Sequence, residues 1–499
     1  MRPRFPRSAK ILFWGAHAPS RAGLGAFAQT IFFFSNHAAK TVRRRWRRRQ
    51  HARARALPSI SFAVLTLVAS VFASPNLHAI TLDAALATTL EKNPEIAQAR
   101  IALEHAAGRR LVFRSIALPD LRIQGVAGVQ GGDRADEPAI RPFAFARGFF
   151  TQPLFDAAIP ASRRRGDIEI LLAQQRLNVA VVGQLHATRI AFYTALYNNS
   201  LRDLGEAQQQ RLTQNVSTQA ERYQAGQSNR AALISAQLLE RELGPRIQEV
   251  ERGYEGALLT LATIMGTDTA QRSSTLRPDG ELHFAAVNYD LPSETAAALS
   301  QRPDLQLARI LVRAAAEDQR IIQAQYYPAL DATISGTGIP TTVRTANGGS
   351  ARSSDNILSS EVSAGLAFTW RVVDNGRVGG QVMRARAIRE MNEISLRQLE
   401  ANVSLELKRI SNNLAAIERR WKSLSGAIAG AEQNVHVVQR TLAEGLSSQL
   451  EFRNAETSFL ETKGALLTAA YQQSVARAEW DRATGRYFQF SGDSAANLH

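Results

Sequence analysis

The sequence predicts a mostly α-helical fold with four β-strands, built from two copies of one helix–strand–strand–helix unit. Three observations support this fold class. The chain repeats itself after residue 79, apolar residues recur every 3.5 positions along a proline-free segment, and four short segments alternate between apolar and polar residues. At 499 residues the chain exceeds one ordinary globular core, so two units or an elongated shape are expected.

Residues 1–79 form a basic leader. Of the 60 Lys and Arg residues in the chain, 14 lie in this segment, which contains no acidic residue; the remaining 46 nearly balance the 44 acidic residues. The leader therefore carries +14 of the formal charge of +16, and no nucleic-acid partner is predicted for the rest of the chain.

The leader also has the layout of an export signal. An arginine-rich run at residues 43–49 precedes an uncharged stretch from 57 to 79, in which Ala73 and Ala79 offer cleavage points. The alternative is a membrane anchor that is retained. The apolar core is short and is broken at Pro75, which favours removal.

Matching motifs define the two copies. Residues 93–100 resemble residues 302–309 at an offset of 209, and the same offset relates Pro119 to Pro328. Further along, Gly226 and Gly445 are related by an offset of 219, as are Gly266 and Gly485. The predicted segments after the leader are a first repeat (80–266), a polar inter-repeat linker or equatorial region (267–292), a second repeat (293–485) and a C-terminal tail (486–499).

Each copy is predicted to begin with a helix and to end in a long helical hairpin. The first helices, at 81–116 and 293–325, end before a proline. In the second copy, apolar residues from Leu396 to Val438 recur with a period of 3.5, which is typical of a left-handed coiled coil. A helix over 378–442 would be about 100 Å long. The glycines at 226 and 445 suit the turn into a returning helix.

Between these helices lie four predicted strands, at 119–130, 140–152, 328–339 and 360–373. Each is near the length that a tilted strand needs to cross a bilayer. The polar segments between them, 131–139 and 341–359, are predicted as loop tips. The pattern of these strands also fits a soluble β-domain. Because the chain is predicted to be exported, membrane-spanning strands are favoured over a soluble β-domain. Four strands cannot enclose a lumen, so several chains would have to contribute strands to one barrel.

The order of these elements, found twice, resembles the TolC-like outer-membrane factor family, the outer membrane efflux proteins. The residues that carry the resemblance are the helix starts Asn93-Pro94-Glu95 and Arg302-Pro303-Asp304, the strand end at 151–156, and the turns at 223–226 and 442–445. The resemblance implies a homotrimer in which four strands per subunit form one twelve-stranded transmembrane β-barrel and the helices form an α-barrel through the periplasm.

The resemblance also implies a function and partners. Such a protein is a passive exit duct of a tripartite efflux or type I secretion system, in the outer membrane of a Gram-negative-type bacterium. It works with a periplasmic adaptor and an inner-membrane pump, contacts outer-membrane lipid, and needs no cofactor. The cargo is not indicated. The alternative is a periplasmic coiled-coil adaptor or scaffold without a membrane-spanning barrel, although the complete unit occurs twice, which favours the duct.

Candidate site residues follow from the same resemblance. The family's periplasmic aperture is lined by acidic residues after the turn glycine; here Glu451 occupies the first position, Asn454 replaces the second, and Arg230 lies near the corresponding place in the first copy. Glu451 would favour cations, or it is a solvated residue at a helix start. The turns at Gly226 and Gly445 are the candidate adaptor contacts.

On the last predicted strand, Leu366, Phe368 and Trp370 share one face and are the candidate lipid-facing residues. The sequence contains no hydrolase, nucleotide-binding or zinc motif, and its nine His residues are scattered. It also contains no Cys, which excludes disulfides and thiolate metal sites. A channel without catalytic activity is therefore expected.

Overall fold

The computed structural model describes residues 78–134, 137–267, 276–287, 289–346 and 352–486. The predicted leader up to residue 77 and the predicted tail after residue 486 lie outside the described residues. The described part is mostly helical, and its strands are confined to two sheets.

The first copy contains four helices and a pair of long strands. After the short strand β1 (His78–Ile80), its elements are α1 (Leu82–Lys92), α2 (Pro94–Ser115), β2 (Asp120–Arg134), β3 (Glu137–Phe155), α3 (Ile159–Gln224) and α4 (Arg230–Ile264).

The second copy repeats this order. After strand β4 (Leu276–Pro278) in the linker, its elements are α5 (Leu291–Gln301), α6 (Pro303–Gln323), β5 (Ala329–Ala346), β6 (Arg352–Thr369), α7 (Arg377–Glu444) and α8 (Gln449–Thr484). The long helices α3 and α7 have 66 and 68 residues, and the returning helices α4 and α8 have 35 and 36. The duplication seen in the sequence is therefore also a duplication of structure.

Each predicted first helix, 81–116 and 293–325, is divided into two. Pro94 and Pro303 occupy the first turn of α2 and α6, where the missing N–H is tolerated. The Asn93 side chain caps the new helix by accepting hydrogen bonds from the backbone N–H groups of Glu95 (2.9 Å) and Ile96 (3.1 Å). The helix starts predicted at the two proline motifs are confirmed, whereas the continuous first helices are not.

The four long strands form one antiparallel sheet in the order β2-β3-β5-β6. They extend into the predicted loop tips: β3 begins at Glu137 and β5 continues to Ala346. Antiparallel pairing uses backbone groups, so polar and glycine-rich residues can continue a ladder. Composition alone therefore made the four strands too short on the side of the loop tips. Separately, β1 pairs in parallel with β4, and the predicted leader boundary at residue 79 falls within β1.

The helices continue the order of the strands. Next to the sheet, α2 packs on α3, α3 on α6, and α6 on α7. Further from it, α3 pairs with α4 and α7 with α8 as antiparallel hairpins. Along α7 the buried residues Val403, Ile410 and Ile417 are seven positions apart, which confirms the coiled-coil seam.

The predicted linker crosses both hairpins. Phe284 stacks on Trp421 of α7 with ring centroids 4.3 Å apart, and the Gln473 side chain of α8 accepts a hydrogen bond from the Ala285 backbone N–H (3.0 Å). Tyr289 stacks on the fully buried Trp480. These contacts fix the linker across the two copies about midway along the long helices.

Candidate functional site: the two-faced sheet and the hairpin tips

The long sheet has one apolar face. Its register aligns Ile123 of β2 with Gly148 of β3, then with Gly336 of β5 and Val362 of β6, so these positions point to the same side. The same register places Leu121, Gly125, Ala127, Val129, Ala144, Ala146, Phe150, Gln152, Leu330, Ala332, Ile334, Ala364, Leu366 and Phe368 on this face. Gln152 and Ser360 are its polar members among the residues whose side chains are described.

The opposite face is mainly polar. It carries Asp120, Arg122, Gln124, Val126, Phe145, Arg147, Phe149, Thr151, Asp331, Thr333, Ser335, Thr337, Glu361, Ser363 and Thr369. Ser335 and Ser363 join β5 to β6 through a hydroxyl hydrogen bond of 2.7 Å, and Arg122 pairs with Asp120 at 2.6 Å. A sheet with one apolar and one polar face separates two different environments.

The predicted lipid-facing residues lie at the end of β6 and just beyond it. Leu366 and Phe368 lie on the apolar face of β6 and are 68% and 63% exposed. Trp370 follows the end of β6, and its indole N–H donates a hydrogen bond to the Tyr326 backbone oxygen at 3.1 Å. Trp370, Tyr326 and Tyr327 are all exposed where the sheet meets the helices. Their contact with lipid stays a prediction.

Within this chain, β2 and β6 each have one paired side. The helices repeat this arrangement, since α2 and α7 flank the layer α2-α3-α6-α7. Both flanking helices carry exposed apolar side chains, namely Ile101, Leu111 and Val112 on α2, and Met383, Met391 and Ile394 on α7. Unpaired strand edges and uncovered apolar residues therefore lie on the same two sides of the chain.

The two hairpin tips are built around glycines in the left-handed conformation. Gly226 has φ 73° and Gly445 has φ 83°. After α7, the N–H groups of Gly445 and Leu446 donate to the carbonyls of Leu442 (3.1 Å) and Thr441 (2.8 Å), which ends the helix in a Schellman motif. The prediction that these glycines turn the hairpins is confirmed; their contact with an adaptor stays a prediction.

Arg222 joins the two tips, and sequence reasoning missed it. Its guanidinium group, at the end of α3, donates to the backbone carbonyls of Leu442 and Ala443 (3.1 Å to the latter) at the end of α7. A Cβ atom added to Gly445 would lie 2.5 Å from an Arg222 nitrogen, so the glycine also makes room for this contact. One side chain therefore holds the ends of both long helices together.

Polar contacts between the copies continue away from the tips. Asn215 and Gln449 exchange amide hydrogen bonds of 3.1 and 3.3 Å. Arg211 donates to both carboxylate oxygens of the buried Glu456, at 2.8 to 3.2 Å. The two hairpins are thus connected near their tips by polar contacts as well as by an apolar cluster of Leu212, Leu243, Leu442 and Phe452.

The three candidate aperture residues lie at helix starts. Glu451 is in the first turn of α8 and completes a capping box: its carboxylate accepts from the Ser448 N–H (2.9 Å), and the Ser448 hydroxyl accepts from the Glu451 N–H (3.2 Å). Asn454 follows one turn later and is exposed. Arg230 is exposed and opens α4 behind the capping residue Asn229. The helix-start interpretation of Glu451 is therefore observed, and its part in an aperture stays a prediction.

A buried group of charges links the copies about midway along the helices. Arg302 pairs with Asp304 (2.7 Å) and Glu406 (2.6 Å), and Arg189 of α3 pairs with Asp481 of α8 (2.8 Å). Burial opposes ionisation of Asp304 and Glu406, but their bonds with Arg302 outweigh it and lower the pKa of both carboxyl groups.

His186 lies beside this group on α3. Burial, reinforced by the positive charge of Arg482, lowers the pKa of its imidazole to about 4. The ring is hydrogen-bonded to the Ala478 backbone and is neutral at physiological pH. Among the described residues, no group of three or more His, Asp or Glu side chains is arranged to hold a metal ion. None of the described helices has the length and apolar character to cross a membrane.

Comparison with known proteins identifies the fold. The chain is similar to the outer membrane protein VceC of Vibrio cholerae, with a TM-score of 0.66 and 18% identity over 81% of this chain and 96% of that one. It is also similar to the CmeC outer membrane channel of Campylobacter jejuni, with a TM-score of 0.68 and 14% identity over 89% and 96% of the two chains.

Sequence comparison extends this result. Residues 295–486 match the family model of the outer membrane efflux proteins. The second copy of the chain is therefore similar to the outer membrane efflux proteins. The chain is also 26% identical over 235 residues to the pyoverdine export outer membrane protein OpmQ of Pseudomonas aeruginosa. That match spans 46% of this chain and 44% of the relative, less than half of its length.

The similarity to outer membrane efflux proteins has two consequences. It places the protein in the outer membrane, as the sequence predicts. It also relates the protein to channels, since the solved structures that share its fold include outer membrane channels.

Proposed function

We propose that three copies of this chain form a passive exit duct across the outer membrane and the periplasm. The duct would serve a tripartite efflux or type I secretion system, and a periplasmic adaptor and an inner-membrane pump would supply energy and cargo. In this assembly the twelve strands close one barrel, the apolar face contacts lipid, and the polar face lines a water-filled lumen.

The observation that carries the proposal is a sheet with one apolar and one polar face, whose edge strands β2 and β6 are each paired on one side only. A four-stranded sheet with both edges unpaired would leave polar backbone groups facing lipid, which is costly because nothing there replaces water as a hydrogen-bond partner. Pairing β6 of one chain with β2 of the next chain removes every unpaired strand edge. The same step brings the exposed apolar residues of α7 against those of α2.

Thiol accessibility tests the orientation of the sheet. Because the protein has no Cys, a single introduced cysteine is its only thiol. Val362 and Ser363 are neighbours on β6 that lie on opposite faces, and both are exposed in the chain. In reconstituted channels, a charged water-soluble thiol reagent should lower the conductance of Ser363→Cys. Val362→Cys should react only with a lipid-soluble maleimide and keep its conductance.

Equal reaction of both cysteines with the water-soluble reagent would contradict the proposed wall. The alternative, a periplasmic scaffold, makes a different prediction for intact cells. A scaffold is extracted from membranes by carbonate or urea, whereas the proposed channel stays with the outer-membrane fraction. Crosslinking from cysteines placed beside Gly226 and Gly445 would then identify the adaptor or pump.

A further inference from the structure

An apolar patch interrupts the polar face of the sheet. Val126 of β2 lies directly opposite Phe145 of β3, and Phe149 lies on the same face four residues further along β3. Val126 is 44% and Phe149 37% exposed, although the other described positions of this face are mostly Ser, Thr, Gln or charged residues. Among the residues whose side chains are described, the large apolar side chains of the polar face are therefore gathered on one strand pair.

A cation lies in the middle of this patch. Arg147 is between the two phenylalanines on the same face of β3, is exposed, and places its guanidinium carbon 4.8 Å from the centre of the Phe145 ring. Its register neighbours, Gln124 and Thr337, are uncharged. Nearby, Arg122 is already paired with Asp120, and Glu361 lies one strand beyond Thr337. The patch thus combines one cation with two aromatic rings.

We propose that this patch is a contact site for amphipathic organic anions passing through the lumen, that is, molecules with a carboxylate or sulfonate on an aromatic or alkyl body. The inference rests on the proposed function, which makes the polar face the wall of the lumen. The guanidinium group matches an oxyanion through charge-assisted hydrogen bonds, while the two rings, of which Phe149 is the more exposed, and Val126 lose contact with water when they cover an apolar body.

The site favours molecules that combine a negative charge with an apolar body. A small inorganic anion would meet the cation but could not cover the rings, and an aromatic cation would stack on the rings but be repelled by Arg147. In a trimer, three such patches would lie around one passage. Each would hold cargo weakly, as a conduit requires, because tight binding would stop release.

Channel block in planar bilayers tests this inference. The probes are 1-naphthalenesulfonate, methanesulfonate and 1-naphthylmethylammonium, each added to wild-type channels whose ion current is measured. We expect 1-naphthalenesulfonate to reduce the current at the lowest concentration. Arg147→Gln and Phe149→Ser should each require about tenfold more of it. Arg147→Lys should retain an intermediate block because it keeps the charge but not the planar donor pair.

The matched control is Arg122→Gln, which removes a cation from the same face. Because Asp120 already neutralises this arginine, its block should remain as in the wild type. The inference is overturned if the Arg147 and Phe149 variants are blocked as strongly as wild type, or if methanesulfonate blocks as well as its aromatic counterpart. Channels that conduct normally but show no such difference would leave the proposed function intact, whereas a wild-type protein that does not conduct would remove both.

Discussion

Two glycines at equivalent positions of the two copies differ in how closely neighbouring atoms surround them. Gly266 and Gly485 follow α4 and α8, and both have left-handed backbone, with φ of 68° and 79°. A Cβ atom on Gly266 would overlap the Lys92 carbonyl oxygen at the α1–α2 break, whereas one on Gly485 would come no closer than 3.4 Å to its neighbours.

This difference predicts unequal losses of stability. Gly485→Ala should cost about 1–2 kcal/mol because alanine disfavours the left-handed region. Gly266→Ala meets the same strain and must also displace backbone, so we expect at least about twice that cost. Denaturant unfolding of the two purified variants measures both values. Equal losses in the free energy of unfolding would show that the backbone at Lys92, between α1 and α2, can move aside at no measurable cost.

Glu451 combines a structural and an electrostatic role that substitution can separate. Glutamine preserves the capping box because its amide oxygen can still accept from the Ser448 N–H, so Glu451→Gln removes the charge and little else. If the residue lines the aperture, this variant should lower the preference of the channel for cations. Reversal potentials in a salt gradient measure it, and an unchanged value would leave Glu451 as a helix cap only.

At the scale of elements, the ends of α3 and α7 depend on Arg222. We expect Arg222→Gln to loosen the two hairpin tips and to raise the conductance of the reconstituted channel, because two charge-assisted hydrogen bonds to the α7 carbonyls are lost. Arg230→Gln is the control, since it removes an exposed cation from the start of α4. A similar rise in both variants would argue for a general effect of charge instead of a contact between the tips.

The packing of α3 on α8 predicts a dependence on pH through His186. Its pKa falls from an ordinary value of about 6.5 to about 4 in the fold, so the folded state favours the neutral ring. The stabilisation is complete above pH of about 6.5 and is lost as the pH falls from there towards 4. Thermal unfolding should show a smaller acid loss in His186→Gln than in wild type, while the exposed His436→Gln should behave as wild type.

Elements that follow from local patterns could be predicted from the sequence. The coiled-coil seam through Val403 and Ile410 follows from spacing, and the turn at Gly445 follows from the need for left-handed backbone. The strand ends could not be found in this way, because backbone pairing continued through polar residues. Arg222 carried no signal either, since it binds backbone carbonyls about 220 positions away that any residue type would supply.

At the scale of the whole molecule, the proposed channel requires the sheet to enter the membrane with its apolar face outward. We therefore expect Val362→Arg to prevent assembly of the protein in the outer membrane, since an arginine facing lipid costs about 2–4 kcal/mol near the middle of the bilayer. The neighbouring Ser363→Arg lies on the polar face and should assemble. Heat-modified mobility and membrane fractionation distinguish the two results. Normal assembly of both would contradict the assigned orientation.

The tandem arrangement of the copies has a consequence for how the wall is held together. Within one chain, the first copy meets the second along β3–β5 and α3–α6, and the proposed neighbour would meet it along β6–β2 and α7–α2, through the counterparts of the same elements. A ring of three chains would then have six similar contacts between copies. Three of them lie within a chain, where the linker connects the two copies, and three lie between chains. Such a protein would behave as a hexamer whose subunits have been fused in pairs. Fusion leaves the two members of each pair free to diverge, as the equivalent positions Glu451 and Ala232, 219 residues apart, already have.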